Sequence, residues 1–148
     1  MILKDQNSRK SLSNRLLRIE LTDEKYQVPV TRLLRLAMRV QRAEHITLGQ
    51  HISLIFCSDQ VIKSLNRRYK KKDKTTDVLS FTYADPDLLG EIYISFPQAA
   101  RQAKVYGVSR NEEILRLFIH GMFHLLGYNH KTGPQRKKME SKERFYIQ

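Results

Sequence analysis

A chain of 148 residues has the length of one domain and can bury a core without staples. Its single cysteine, Cys57, excludes an intrachain disulfide and suits a reducing compartment. Lys and Arg total 27 against 15 acids, a net charge of +12 that points to a polyanionic partner, nucleic acid above all.

The chain opens on Met1–Asn7, which has no apolar core of the kind a signal peptide needs. No run is long enough to span a bilayer, and no stretch pairs a basic face with bulky aromatics, so a membrane partner is not expected and a cytoplasmic location is. Residues 1–16 are polar and mixed and read as a flexible arm, leaving 17–148 as a single domain. Arg18–Thr22 alternates and predicts a first strand. Pro29–Ala43 predicts a helix with Leu33, Leu34, Leu36, Ala37 and Val40 on its apolar side. Its arginines Arg32, Arg35, Arg39 and Arg42 fall within an arc of about 80°, one basic stripe. His51–Cys57, rich in β-branched and aromatic residues, predicts a buried strand. Ser58 or Asp59 then caps a short helix reaching Asn66.

The next segment, Arg67–Lys74, packs six cations around one acid. Two apolar runs follow, Val78–Tyr83 and Gly90–Ser95, with a turn composition around Pro86 between them, and predict a hairpin. Pro97–Tyr106 predicts a helix ended by Gly107. Ser109 and Glu112 form a capping box that opens a helix apolar nearly all round, the expected central helix. Gly133–Pro134 precedes a last, charged helix. The sum is an α/β or layered α+β fold, with a mixed sheet of about four strands and a central buried helix.

That central helix carries the most informative motif. His120, His124 and His130 have the spacing H-x3-H-x5-H, with Gly127 between the last two. Residues four apart stack on one helix face, and a glycine can end the helix and turn the chain so that His130 comes back to the same point. Three of the chain's five histidines fall within 11 residues, which is hard to reach by accident. Three convergent imidazoles with a fourth position open are what a catalytic zinc ion takes, one per chain, though other divalent transition metals also accept imidazole. Such an ion acidifies a bound water and polarises a phosphoryl or carbonyl oxygen.

The spacing is that of metzincin peptidases, but those place a glutamate base after the first histidine, and here that position is Gly121. Peptide hydrolysis is thereby disfavoured. A phosphodiester depends more on metal and cations, and the segment 67–74 supplies cations.

At this point the chain resembles the YbeY family of bacterial metal-dependent endoribonucleases. His120–His130 stands against the family pattern H-G-x-L-H-L-x-G-Y-D-H, and Leu65–Phe81 against L-N-x-x-Y-R…D…T-D-V-L-S-F. Leu89–Ile94 matches the family's L-G-D-I strand. The resemblance implies a zincin-like core, zinc on His120, His124 and His130, and cleavage of single-stranded RNA in small-subunit (16S) ribosomal RNA 3′-end maturation and ribosome quality control. It places the family's functional arginine on Lys70, which keeps the charge but loses the planar fork for phosphate. Lys70 is thus the candidate catalytic cation, and Arg67, Arg68, Lys70, Lys71 and Lys72 the candidate RNA-binding set. The family's aspartate before the third histidine is Asn129, and a core leucine is Phe123. The competing readings are a ribosome-associated RNA-binding assembly factor with a structural or weakly catalytic zinc, and a metallopeptidase with a displaced base.

Overall fold

The computed structural model describes residues 10–47 and 49–147. In chain order the elements are β1 (Lys10–Ser13), β2 (Leu17–Leu21), α1 (Val30–Ala43), β3 (His51–Cys57) and α2 (Asp59–Lys70). Then come β4 (Val78–Thr82), β5 (Leu88–Ser95), α3 (Phe96–Tyr106), α4 (Arg110–Leu125) and α5 (Gly133–Ile147). The strands form one mixed sheet in the order β1-β2-β3-β5-β4. The β2–β3 and β3–β5 pairs are parallel, and β1 and β4 close the two edges antiparallel.

The expected hairpin is present as β4 and β5, with Ser80 opposite Ile92. One strand was not expected. Lys10–Ser13 lies within the stretch read as a flexible arm, yet it pairs with β2, and Leu16 beside it is buried. Short polar edge strands carry little apolar patterning, which is why composition alone reads this one as loose. The rest of the expected arm, residues 1–9, falls outside the described residues.

Helix α4 lies against one face of the sheet. Its buried residues run all round the helix, from Ile114, Leu115 and Leu117 to Met122, Phe123 and Leu125. Contact with the strands is very close. A Cβ on Gly121 would stand 2.8 Å from Ile92 Cγ2, and one on Gly90 of β5 would stand 2.5 Å from Leu125 Cδ2. The opposite face holds a smaller cluster in which Ile62 and Leu65 of α2 meet Leu79 and Tyr93. Among the described residues no helix is long and apolar enough to cross a membrane.

Helix α2 runs one turn beyond the expected Asn66, to Lys70. Arg and Lys are good helix formers, and Arg67, Arg68 and Lys70 in the last turn complement the helix dipole. Buried Asn66 then donates from Nδ2 to the Lys74 carbonyl at 3.0 Å, pinning the basic loop against its own helix. Helix α5 opens on reciprocal caps. Gln135 N donates to Thr132 Oγ1 at 3.3 Å, and Thr132 N donates to Gln135 Oε1 at 3.1 Å.

Candidate metal centre

The expected convergence of the histidines is built by one helix and the turn that ends it. His120 and His124 sit on successive turns of α4, their Nε2 atoms 3.1 Å apart. After Leu125 the chain closes in a Schellman motif. Gly127 N donates to the His124 carbonyl at 3.1 Å, and Tyr128 N to the Phe123 carbonyl at 3.0 Å. The motif needs a left-handed residue, and Gly127 supplies it with φ +93°. The reversed chain brings His130 to the pair, with ring centroids 5.7 Å from His120 and 5.2 Å from His124. One ligand atom from each of the three lies within 4.8 Å of the others, a group that could hold a metal ion.

The donor chemistry fits such an ion. Burial, reinforced by the neighbouring His120 and His130 rings, pushes His124 down to about 4. The imidazole is therefore neutral at pH 7, the form that coordinates metal. His120 turns its other nitrogen to α5, where Nδ1 lies 2.6 Å from Glu143 Oε1. A carboxylate behind a ligating histidine fixes its tautomer and ring plane and makes it a stronger donor. Glu143→Gln is accordingly expected to lower zinc affinity about 10- to 100-fold, measured by competition with a chromophoric chelator. An unchanged affinity would remove Glu143 from the site.

Glu143 is the functional residue that sequence reasoning missed, although the chain does carry a trace of it. Met139, Glu143 and Tyr146 recur at helical spacing, and both hydrophobic members are buried. Glu143 is thus an acid on the inward stripe of a basic helix. A second carboxylate, Glu44 just past α1, ties this assembly together. It accepts from Lys142 Nζ at 2.8 Å and Tyr146 OH at 3.0 Å on α5, and from Tyr128 OH at 3.4 Å beside the Gly127 turn. Tyr128 therefore closes the helix end and links it to α1. Asn129 Oδ1 accepts from Lys131 N at 3.3 Å.

The three imidazoles open into a groove of about 720 Å³, within the range of ligand sites. Its other wall is the edge strand β4 with Thr76, Asp77 and Lys70. Asp77 is tied up locally, accepting from Val78 N at 2.8 Å and from Gln102 Nε2 at 3.3 Å. Lys70 is the one member of the expected RNA-binding set that lines the groove, its Nζ 5.5 Å from the centre of the Phe81 ring. Arg67, Arg68, Lys71 and Lys72 are exposed but do not line it. Glu91, within the Leu89–Ile94 match, is buried and accepts from the Tyr83 and Tyr93 hydroxyls. Burial and this carboxylate push both phenols up.

The position of the peptidase glutamate has no room for one. A Cβ on Gly121 would meet not only Ile92 but also Ser80 Oγ, at 3.1 Å. Glu143 does not replace that base, because it faces His120 Nδ1, while His120 Nε2 is the nitrogen that meets His124.

A family model described as Endoribonuclease YbeY matches residues 11–148. A protein of that name from Geobacillus sp. (strain WCH70) is 38% identical over 138 residues, spanning 84% of this chain and 86% of its own. Another, from Desulforamulus reducens, is 47% identical over 102 residues, 62% of this chain and 67% of its own. A solution structure of a Thermotoga maritima protein superposes with a TM-score of 0.61 at 29% identity, covering 89% of this chain and 87% of that one.

Proposed function

The chain belongs to the YbeY family of endoribonucleases, and we propose that it is a zinc-dependent endoribonuclease that cuts single-stranded RNA. We place its action in the cytoplasm, in 16S ribosomal RNA 3′-end maturation and ribosome quality control on the small subunit. One observation carries the reading: three imidazoles converge in an open groove beside Lys70, with a glycine where a peptidase holds its base. His120, His124 and His130 would hold the zinc, which when bound supplies Lewis acidity toward a phosphoryl oxygen and toward water.

The rest of the chemistry belongs to the chain's own groups. Glu143 holds the His120 ring in place through Nδ1. Lys70 presents a point charge to a phosphate lying along β4. Arg67, Arg68, Lys71 and Lys72, outside the groove, attract the flanking backbone and make binding salt-dependent. Exposed unpaired bases and a strand lying along an open groove suit single-stranded RNA better than a duplex.

The test is to strip the protein with a chelator and offer single-stranded RNA and casein, with and without zinc. RNA cleavage restored by zinc is the expected result, and casein cleavage would overturn it. Tight RNA binding with no cleavage under any metal would favour the assembly-factor reading instead. Within the same assay, Lys70→Ala is expected to lower kcat/KM on RNA about 10- to 100-fold, the worth of one charge-assisted contact. Lys70→Arg should recover most of it, since the charge returns with a better phosphate fork. An alanine variant as active as the native protein would dismiss Lys70 from the site.

A further inference from the structure

The groove runs along the edge of the sheet rather than over one of its faces. Successive side chains of a strand point to opposite faces, so a groove on one face would be lined by alternate residues. Here every residue from 76 to 82 lines it. Ser80 faces α4, its Oγ donating to the Gly121 carbonyl at 3.3 Å, while Leu79 belongs to the cluster under α2. The histidines of α4 thus flank the edge from one face, and Lys70 at the end of α2 flanks it from the other.

What the edge offers follows from the register. In an antiparallel pair, residues that bond to the partner strand alternate with residues whose N–H and C=O point away from it. Ser95 N donates to the Asp77 carbonyl at 2.9 Å, and Tyr83 N donates to the Leu89 carbonyl at 3.3 Å. These two bonds bracket β4 and set the alternation. Leu79 and Phe81 bond inward, opposite Tyr93 and Glu91, and Val78, Ser80 and Thr82 turn both backbone groups outward. The Val78 N–H is already taken by Asp77 Oδ1 at 2.8 Å. Among the described residues no strand pairs with this edge, and no acceptor meets the N–H of Ser80 or Thr82.

Ser80 and Thr82 therefore each present a donor beside an acceptor, the arrangement that within a sheet exchanges two bonds with a single partner residue. The Watson–Crick edge of every nucleobase carries the same complement. Adenine has N6–H beside N1, cytosine N4–H beside N3, uracil N3–H beside O4, and guanine N1–H beside O6. In a duplex these groups are occupied. We propose, resting on the RNA reading above, that unpaired bases dock by their Watson–Crick edges on the backbone of Ser80 and Thr82. The edge then selects for single strands without selecting a base, since all four bases satisfy it and a paired base does not.

Hexa-uridylate and its N3-methyl analogue, titrated into chelator-stripped protein, test this without reading cleavage. Methylation removes the uracil donor and blocks that edge of the ring while leaving phosphate and stacking alone. The native oligomer is expected to bind at least about tenfold more tightly, the worth of two ordinary hydrogen bonds. Hexa-cytidylate should bind within about threefold of hexa-uridylate, because it offers the same number of bonds. Amide hydrogen exchange followed by NMR locates the contact. Bound hexa-uridylate should slow exchange at Ser80 and Thr82, and the methylated oligomer should not. Thr82→Pro removes one outward N–H at a position where an edge strand tolerates proline, and should narrow the preference for the unmethylated oligomer. Should that variant fail to fold, exchange in the native protein still decides. Equal affinity for the two uridylates, or bound hexa-uridylate that leaves Ser80 and Thr82 exchanging freely, would overturn the proposal and leave the RNA reading standing. Failure of every oligomer to bind would overturn both.

Discussion

Replacing His124 by alanine is expected to lower zinc affinity by more than about 100-fold and to take RNA cleavage with it. A structural zinc site is worth about 10–16 kcal/mol over four ligands, so one ligand carries about 3 kcal/mol, over about 100-fold in affinity. Of the three candidate ligands, His124 is the most enclosed by the others. It is flanked by both other rings and held neutral by burial. The loss has a readout apart from activity. At a zinc concentration about 1,000 times the native dissociation constant, binding stabilises the fold by about 4.1 kcal/mol, and a 100-fold weaker site by about 1.4 kcal/mol. At about 3 °C per kcal/mol for a chain of this size, the zinc-induced rise in Tm should drop from about 12 °C to about 4 °C. A variant with the native zinc shift would show that the ion sits elsewhere.

The second large effect is expected at Gly121. Gly121→Glu restores on paper the base of a peptidase, but the protein should answer with instability rather than proteolysis. The first carbon of any side chain there meets Ile92 Cγ2 at 2.8 Å and Ser80 Oγ at 3.1 Å. Overpacking of this kind costs about 1–3 kcal/mol, so Gly121→Ala should lower Tm by about 3–10 °C. The glutamate adds a buried charge with no provision for it and should cost more. Thermal melts of the two variants, with casein as substrate, provide the check. A glutamate variant that melts like the native protein and cuts casein would reverse the argument for RNA.

The convergence of the three histidines was legible because one helix and one turn build it. The capping box at Ser109, the i, i+4 pair and Gly127 are all local devices, and local devices are written in local sequence. The same holds for the β4–β5 hairpin and for the apolar helix α4. What was not legible depends on separation. Glu143 reaches His120 only because α5 lies along α4, 23 residues further on in the chain. Glu44 meets Tyr128 across 84 residues. No periodicity announces such contacts. The basic segment illustrates a different limit. Its charges were plain, but only the helical continuation of α2 to Lys70 decides which cation faces the groove and which face water.

The strand that walls the groove has a further consequence. β4 is the edge of the sheet, and the groove side is its unpaired side. An open edge of this kind is a template onto which another chain can add a strand, and proteins guard such edges with lysines. Lys70 stands beside it, and the loop that leads into it carries Lys71, Lys72 and Lys74. These lysines are therefore expected also to keep one molecule from stacking onto the next. A variant with these lysines neutralised should lose RNA affinity and colloidal stability together, seen as light scattering that grows with protein concentration. Bound RNA, occupying the same edge, should suppress that growth in the native protein.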